Sequence, residues 1–302
     1  MGAEKALDRY PSRARSTSAA LQARVSAIVV AHKVRANSSG RAPLDLCLRS
    51  ALAEEWIDDL VIVDHDNPEE ISSTLRAFEA DRRDVHVVKV DPSLSTAAAA
   101  NVGAEAALGR WLLFLNADVV LQRGAVSRLA AAGGGAQRPW IVGGRLLDLD
   151  GRERQAARAG SLNTFSAIAV AVEWPAKPAR ARKEDAATKV GAVSGALMLI
   201  PRNDFTALSG FDEQFDTDCA DLDLCRRAAA AGGSVLFQPD ASGVQFEYAQ
   251  ARKSRKVQGL TRFAVKSAKT PIEKAFARVA GPALAVLLAL RDFVAGRPPA
   301  RR

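Results

Sequence analysis

The feature that most constrains the fold of this 302-residue chain is an alternation of short apolar runs with segments of helical spacing. The runs VSAIVVAHK (25–33), LVIVDHDN (60–67) and VHVVKV (85–90) are rich in valine and isoleucine, which is typical of buried parallel strands. Between them, PLDLCLRSALAEEW and ISSTLRAFEAD repeat apolar residues at three- and four-residue intervals. Strands that alternate with helices predict right-handed βαβ units and an α/β fold with a mostly parallel sheet flanked by helices.

A fourth apolar run, WLLFLNADVVL (111–121), is predicted to be one strand, preceded by a small-residue helix that ends at Gly109. Its polar residues are Asn116 and Asp118. Because a buried charge without a partner is costly, Asp118 must reach water or hold something. Asp64 comes near the end of the second strand, and in such sheets ligands bind beyond the carboxyl ends of the strands. We therefore expect Asp64 and Asp118 to share one crevice.

The usual phosphate-binding loops are missing from the sequence. Neither GxxxxGK[ST] nor GxGxxG follows the first strand. A nucleotide bound by this sheet would need another means of holding its diphosphate. A carboxylate that binds a divalent cation provides one, because the cation bridges carboxylate and phosphate oxygens.

The second half of the chain supplies further candidates. AVSGALMLI predicts a strand with Gly195 in its middle, which suggests close approach of a ligand to the backbone. A short helix, RNDFTALSG, is followed by an acidic cluster and by the predicted helix DLDLCRRAAAAGG and strand SVLFQPDA. Asp221 lies in the first turn of that helix, where the helix dipole favours a carboxylate. Asp223, two positions further on, is predicted to be structural.

Four stretches, in this order and spacing, resemble the family 2 glycosyltransferases of the GT-A fold, and most closely their bacterial rhamnosyltransferase-like branch. They are VSAIVVAHK, LVIVDHDN, NVGAEAALGRWLLFLNADVVL and VSGALMLIPRNDFTALSGFDEQFDTDCADLDLCRRAAAAG. IVGGRLLDLDGRERQAA resembles the same branch. The resemblance implies a GT-A domain over residues 25–250. The residues themselves predict a mobile polar tail (1–24) before it and a basic amphipathic helical extension (251–302) after it.

The resemblance also implies roles for individual residues. Asp64 would contact the nucleotide base, and Asn101 and Gly103 would lie near the donor. The sequence Asn116-Ala117-Asp118 is the NxD form of the DxD motif, in which Asp118 would hold Mg²⁺ or Mn²⁺ together with the diphosphate. Asp221 would be the catalytic base. With Gly195, these residues form the predicted site.

The chain departs from the family pattern at several positions. His32-Lys33 stands where Tyr-Asn is usual, Ala220 replaces the Glu of the Glu-Asp pair, and Gln245 replaces a histidine that can help hold the metal.

Three function classes therefore remain. The first is an inverting glycosyltransferase of cell-surface polysaccharide synthesis, with a nucleotide-sugar donor and a glycan or lipid-linked acceptor. The second is a catalytically impaired relative that binds a nucleotide sugar or a partner enzyme. The third is a nucleotidyltransferase. Such an enzyme would need a Gly-rich signature and a lysine near the first strand, and of these the chain has only Lys33.

Charge is distributed unevenly along the chain. The net charge is +8, but residues 252–302 carry +11 and the rest carries −3. Few aromatic residues interleave with the basic ones, which argues against nucleic acid as a partner. The apolar segment TPIEKAFARVAGPALAVLLALRDFVAG has a longest uncharged run (279–290) shorter than the roughly 20 residues of a membrane span. It is predicted either to lie on an anionic membrane surface or to pack on its own domain.

Cysteine usage and the N-terminal sequence bear on the compartment. Cys47, Cys219 and Cys225 are too few for a disulfide framework, which predicts reduced thiols. The N-terminal residues have no apolar region typical of a secretory signal. We therefore expect a cytoplasmic protein, with peripheral contact at the inner face of the cell membrane as the open alternative.

Overall fold

In the computed structural model, the described residues are 25–34, 43–154, 157–159, 186–215, 219–246, 253–268, 270–275 and 277–279. The predicted tail (1–24), Asp216, Asp218 and residues 280–302 lie outside them. The strands are β1 Val25–His32, β2 Ile57–His65, β3 Val85–Lys89, β4 Trp111–Asn116, β5 Val119–Leu121, β6 Trp140–Leu147, β7 Arg158–Ala159, β8 Thr188–Lys189, β9 Ala192–Val193, β10 Leu197–Pro201 and β11 Ser234–Gln245. The helices are α1 Pro43–Leu52, α2 Glu69–Ala80, α3 Thr96–Ala106, α4 Ala125–Gly133, α5 Arg202–Ala207, α6 Ala220–Ala230 and α7 Lys253–Ser267.

Within the described residues, nine strands form one sheet in the order β3-β2-β1-β4-β10-β6-β11-β5, with β8 also paired to β11. The first four strands in this order are parallel, as predicted, and β6 and β11 are parallel to each other. Strand β10 runs antiparallel to both of its neighbours, and β5 and β8 run antiparallel to β11. Helices flank the sheet, so the predicted α/β class is confirmed.

The register aligns the carboxyl ends of the first strands. Ala31 pairs with Asp64, and Val30 pairs with Asn116. Asp64 and Asn116 therefore lie at the same edge of the sheet with β1 between them, two strand spacings apart or about 10 Å. The register thus brings Asp64 and the first residue of Asn116-Ala117-Asp118 to one edge, which is consistent with the expectation that Asp64 and Asp118 share one crevice.

Two predicted strands are interrupted. Residues 111–121 form β4 and β5 with a turn at Ala117-Asp118, so Asp118 lies in a turn and not in a continuous strand. The chain turns there because β4 and β5 pair with different strands. Strand β4 lies between β1 and β10, whereas β5 pairs with the end of β11, with Val119 opposite Gln245. Likewise, Gly195 lies in a turn between β9 and β10, and the prediction that it sits in the middle of a strand is wrong.

Helix α3 ends earlier than predicted, at Ala106 instead of Gly109. Its start is capped by Ser95, whose hydroxyl accepts a hydrogen bond from the backbone N–H of Ala98. Its end is determined by Arg202, whose guanidinium donates to the backbone carbonyls of Ala104, Ala107 and Gly109. A distant side chain thus takes the carbonyls that another helical turn would have used.

A second, smaller core joins the C-terminal helix to the rest of the domain. Its buried members are Phe215, Cys219, Leu260, Phe263, Ala264 and Ala277. Helix α7 contributes three of these, so the start of the predicted extension packs on the α/β domain. The boundary at residue 251 stays a prediction.

In the part of the chain that the structure describes, no helix is long and apolar enough to cross a membrane. Cys47, Cys219 and Cys225 are buried.

Candidate active site

Asp118 is the partly buried carboxylate of the turn between β4 and β5. The Gln245 Nε2 lies 3.3 Å from both of its carboxylate oxygens, and the Phe246 N–H donates to its carbonyl oxygen at 2.8 Å. Burial raises the pKa of Asp118, and the hydrogen bond from Gln245 and the positive charge of Arg154 partly oppose this effect. Arg154 in turn donates to the backbone carbonyl of Gln245. The residue that replaces the family histidine therefore lies against the carboxylate of the NxD motif.

Asp221 and Gly195, two predicted site residues far apart in the sequence, are hydrogen-bond partners. The Gly195 N–H donates to Asp221 Oδ2 at 2.9 Å, and the Leu222 N–H donates to Oδ1 at 2.8 Å. A Cβ at position 195 would lie 3.3 Å from the Asp221 Cβ, so the glycine permits this close approach. The backbone N–H of Asn116 donates to the carbonyl of Ala196 at 3.1 Å. The turn 194–196 thus contacts Asp221 on one side and the NxD motif on the other.

Asp64 is buried at the end of β2. The amide of Asn67 donates to its carboxylate at 2.7 Å and to the carbonyl of Ala31 at 2.6 Å. The Asn67 side-chain oxygen accepts from the Val34 N–H at 2.8 Å. Asn67 therefore ties the ends of β1 and β2 together around Asp64. The sequence analysis did not single out Asn67. Its position three residues after Asp64 could have indicated it, since asparagine is favoured where a strand ends in a turn.

A pair of histidines lies beside Asp64. The rings of His32 and His65 have centroids 4.4 Å apart, and both ring nitrogens of His65 are buried without a hydrogen-bond partner among the described residues. Burial, followed by the charges of His65 and Lys33, lowers the pKa of His32. The ammonium of Lys33 pairs with Asp66 at 3.0 Å. His32 therefore packs against His65, and the next residue, Lys33, forms an ion pair with Asp66 beside them.

Asn101 and Gly103 make contacts of a different kind. The side chain of Asn101 donates to the carbonyl and accepts from the N–H of Phe211, both at 2.9 Å. A Cβ on Gly103 would meet the methyl groups of Ile28 and Val63 at 2.7 Å, so this glycine lets α3 pack closely on the sheet. These contacts assign both residues a structural role, and their place near the donor stays a prediction.

Asp223 is fully buried, and its carboxylate contacts Arg227 at 2.7 Å, Arg226 at 3.3 Å and Lys266 at 2.9 Å. This agrees with its predicted structural role. Lys266 had no signal in the sequence, because it lies on a separate helix far along the chain.

The residues around Asp118 fit a divalent cation that is shared with a substrate. Among the described residues, no group of three or more His, Cys, Asp and Glu side chains could hold a metal ion. Mg²⁺ and ions like it, however, are often bound by one or two carboxylates together with substrate phosphates. Asp118 offers the carboxylate, Asn116 is exposed beside it, and Gln245 would present its amide oxygen after half a turn of the amide. All of these are the oxygen ligands that such cations prefer.

Comparison with known proteins identifies relatives of this chain. The model of the family described as glycosyltransferase like family 2 matches residues 23–270. Two curated relatives from Mycobacterium tuberculosis, strains CDC 1551 / Oshkosh and H37Rv, are each 30% identical over 138 residues. Both are named N-acetylglucosaminyl-diphospho-decaprenol L-rhamnosyltransferase. The match covers 43% of this chain and 45% of each relative, so it spans less than half of the length of those proteins.

Solved structures share the fold at low sequence identity. GalNAc-T7 with UDP, GalNAc and Mn²⁺ superposes with a TM-score of 0.59 at 16% identity, covering 81% of this chain and 48% of that one. The mannosyltransferase PcManGT from Pyrobaculum calidifontis, in complex with GDP-Man and Mn²⁺, has a TM-score of 0.56 at 17% identity, with coverages of 93% and 77%. S. aureus TarS 1-349 with UDP-GlcNAc gives 0.55 at 11% identity, with coverages of 90% and 73%.

These neighbours are GT-A glycosyltransferases, and at such identities they establish the fold alone. The family match extends over most of the chain and includes both the NxD turn and the helix that carries Asp221. The chain belongs to the glycosyltransferase like family 2.

Proposed function

We propose that this protein transfers a sugar from a nucleoside diphosphate sugar to a glycan or lipid-linked acceptor, with inversion at the anomeric carbon. The observation that carries the proposal is the turn 194–196. It contacts the backbone of Asn116 and the carboxylate of Asp221, and so brings the predicted diphosphate-binding motif and the predicted base to one turn. A reaction that displaces a diphosphate while a hydroxyl group is deprotonated requires these two functions at one site.

The donor half of the site would consist of Asp64, Asp118 and Gln245. Asp64 lies about two strand spacings from Asn116, far enough for a nucleoside to extend between the base contact and the diphosphate. Asp118, with Asn116 and Gln245, would hold Mg²⁺ or Mn²⁺. When bound, such a cation neutralises the charge that develops on the leaving diphosphate. The neighbours GalNAc-T7 and PcManGT are complexes with Mn²⁺ and UDP or GDP-Man, which supports a divalent metal here.

The acceptor half of the site would depend on Asp221. The N–H groups of Gly195 and Leu222 hold one carboxylate oxygen each, which fixes the orientation of the side chain. In this proposal the carboxylate accepts a proton from an acceptor hydroxyl within hydrogen-bond reach. Attack from the face opposite the leaving diphosphate would invert the anomeric configuration.

The relatives suggest which substrates to test first. The curated relatives are named as L-rhamnosyltransferases that act on N-acetylglucosaminyl-diphospho-decaprenol. We infer that a rhamnosyl donor and a lipid-linked acceptor are the first candidates for this chain. Such an acceptor would place the enzyme in the cytoplasm at the inner face of the cell membrane, in the synthesis of a cell-surface polysaccharide.

A catalytically impaired relative is the second candidate function, and two positions favour it. Ala220 stands directly before Asp221, so the family's neighbouring carboxylate is absent from the sequence. Gln245 offers Asp118 an amide in place of an imidazole. Such a protein would bind a nucleotide sugar, or a partner enzyme, without transfer.

The substitution Asp221→Asn tests the proposal. It should leave nucleoside diphosphate binding intact and lower the rate of sugar transfer by about 10²–10⁴-fold, because it removes a general base. The measurements are calorimetric titration with UDP, GDP and dTDP in the presence of Mn²⁺, and product formation from the matching nucleotide sugars with and without Mn²⁺.

Two outcomes would contradict the proposal. Transfer at the wild-type rate by the Asp221→Asn variant would move the base elsewhere, with Asp216 and Asp218 as the next candidates. Donor binding by a wild-type protein without turnover, combined with turnover in Ala220→Glu, would establish the impaired form.

A further inference from the structure

Lys266, near the end of helix α7, connects two segments that flank the undescribed residues 216–218. Its Nζ lies 2.9 Å from Asp223 Oδ1 in helix α6. The same Nζ bonds to Asp212 Oδ2, in the segment that follows α5. One ammonium group therefore contacts a carboxylate on each side of residues 216–218: Asp212 before them and Asp223 after them.

The contact with Asp223 is made in a fully buried place. The Asp223 side chain has 0% exposure and contacts the cationic groups of Arg226, Arg227 and Lys266; removing one partner from a buried ion pair is destabilising. Asp223 lies two residues after Asp221 in the same first turn of α6, so a shift of that turn would move both residues. Two amide hydrogen bonds then hold the Asp221 carboxylate, from Gly195 at 2.9 Å and from Leu222 at 2.8 Å.

The segment that carries Asp212 is fixed at several further points. Arg227 donates to the backbone carbonyls of Leu208 and Gly210, and Asn101 bonds to both backbone groups of Phe211. Burial tends to raise the pKa of Asp212, but the hydrogen bonds from Lys266 and the Gln214 N–H, together with the charges of Lys266 and Arg227, outweigh it and hold the pKa below its usual value. The Asp212 carboxylate is therefore ionised when it meets the ammonium.

Apolar packing holds helix α7 against the same region. Leu260, Phe263 and Ala264 on α7 share a buried cluster with Phe215 and Cys219, which lie at the two ends of the undescribed residues. Cys219 has a left-handed backbone conformation, with φ of 74°, directly before α6 begins. A non-glycine residue adopts such a conformation where the surrounding packing imposes it. Helix α7 thus provides both apolar and ionic contacts at the entrance to the helix of Asp221.

We propose that Lys266 is a positioning residue, which holds the carboxylate of Asp221 against the Gly195 N–H by joining Asp223 and Asp212. Its catalytic consequence rests on the proposed function, in which Asp221 is the base. The effect of Lys266 on the structure does not rest on the proposed function, because the two amides that bond to Asp221 report on the carboxylate directly. A side chain at position 266 without a positive charge would leave Asp223 with fewer cations, and the first turn of α6 would be free to shift.

The test compares Lys266→Met with Lys266→Arg in the full-length protein. Methionine keeps much of the length of the side chain and removes the charge, whereas arginine keeps the charge. Arg262→Met is the matched control, because Arg262 is exposed on the same helix. Two quantities are measured for each protein: amide hydrogen exchange at Gly195 and Leu222, and kcat and KM for the nucleotide sugar.

We expect Lys266→Met to speed exchange at both amides by about tenfold or more, as local opening becomes easier. It should lower kcat by up to about 10²-fold, the loss that a displacement of about 1 Å can cause, with little change in the KM for the donor. Lys266→Arg should recover most of both properties, and Arg262→Met should match the wild type.

Wild-type exchange at Gly195 and Leu222 in a folded Lys266→Met protein would overturn the proposal. An equal effect of Arg262→Met would also overturn it, because charge on α7 in general would then be responsible. If the methionine variant fails to fold, Asp212→Asn removes the same bridge and leaves the cations of buried Asp223 in place. It should again speed exchange at both amides, and wild-type exchange would count against the proposal. A wild-type protein without turnover would refute the proposed function, while the exchange experiment would still decide the role of Lys266.

Discussion

At the scale of single residues, Asp118 combines an unfavourable environment with accessible oxygen atoms. Burial raises the pKa of its carboxyl, so the charged form is less well solvated than in water. The amide of Gln245 compensates for part of that loss at 3.3 Å, a long distance for a hydrogen bond to a charged oxygen. A cation would interact more strongly with the same oxygens, because a full positive charge replaces a weak dipole.

The first prediction is that Asp118→Ala abolishes Mn²⁺-dependent binding of nucleoside diphosphates without unfolding the protein. The substitution removes the carboxylate proposed to hold the cation, whereas the turn keeps its backbone hydrogen bond from Phe246. Calorimetric titration measures the affinity, and circular dichroism establishes the fold. Asp240→Ala is the control, because Asp240 is exposed on β11, the strand that carries Gln245. Unchanged affinity in folded Asp118→Ala would exclude the metal role.

At the scale of secondary structure, the packing of α3 on the sheet depends on the absence of a side chain. Gly103 faces Ile28 on β1 and Val63 on β2, whose methyl groups would be 2.7 Å from an added Cβ. Both neighbours are β-branched and stiff, and they lie in a densely packed core with little room to move. A larger residue at position 103 would therefore push the helix away from the sheet.

We expect Gly103→Ala to lower the free energy of unfolding by about 1–3 kcal/mol through overpacking. A gain in helix propensity of about 1 kcal/mol would offset part of this loss. Denaturant unfolding measures the change, and Gly135→Ala is the control, because a Cβ at position 135 would meet nothing within 4 Å.

The same variant separates two roles of Gly103. If the folded Gly103→Ala protein keeps its affinity for nucleoside diphosphates, the glycine serves packing alone. A large loss of affinity without loss of stability would support the predicted place near the donor.

At the scale of the whole molecule, the C-terminal region combines a packed helix with exposed apolar residues. Phe263 on α7 is fully buried, whereas Ile272 and Val279 have 81% and 71% of their surface exposed. These two residues lie in the helical segments 271–275 and 277–279, and a separation of seven positions brings side chains to one side of a helix. Lys274 and Arg278 are exposed in the same region, and residues 252–302 carry a net charge of +11. This pattern is typical of contact with an anionic membrane surface.

The last prediction is that Ile272→Asp combined with Val279→Asp weakens association with anionic vesicles and leaves the fold intact. Both side chains are exposed, so the substitutions spare the core that a deletion from residue 252 would disrupt. Co-sedimentation with vesicles at low and high salt measures binding. The control is Leu108→Asp combined with Leu149→Asp, two exposed apolar residues outside this region. Equal sedimentation of the two double variants would show that this region is not the membrane contact.

Much of the fold and part of the site could be predicted from local patterns. Valine-rich runs and helical spacing depend on neighbouring residues, so they predicted the first four parallel strands and the helices between them. The edge that Asp64 and Asn116 share follows from the same patterns, because parallel strands align their carboxyl ends. Local patterns could not predict which side chains are buried or which residues they bond to. Asn101 is an example, because its side chain bonds to the backbone of Phe211, which is distant in the sequence.

The sequence by itself determined the α/β class, the NxD motif and the helix that begins near Asp221, since each depends on residues close together in the chain. Only the tertiary structure decided that the chain turns at Asp118, because β5 is held by a strand that comes more than a hundred residues later. It alone brought Gly195 to Asp221 and Lys266 to Asp223. These contacts form between segments distant in sequence, and their geometry is determined when the core packs, a step that no local periodicity encodes.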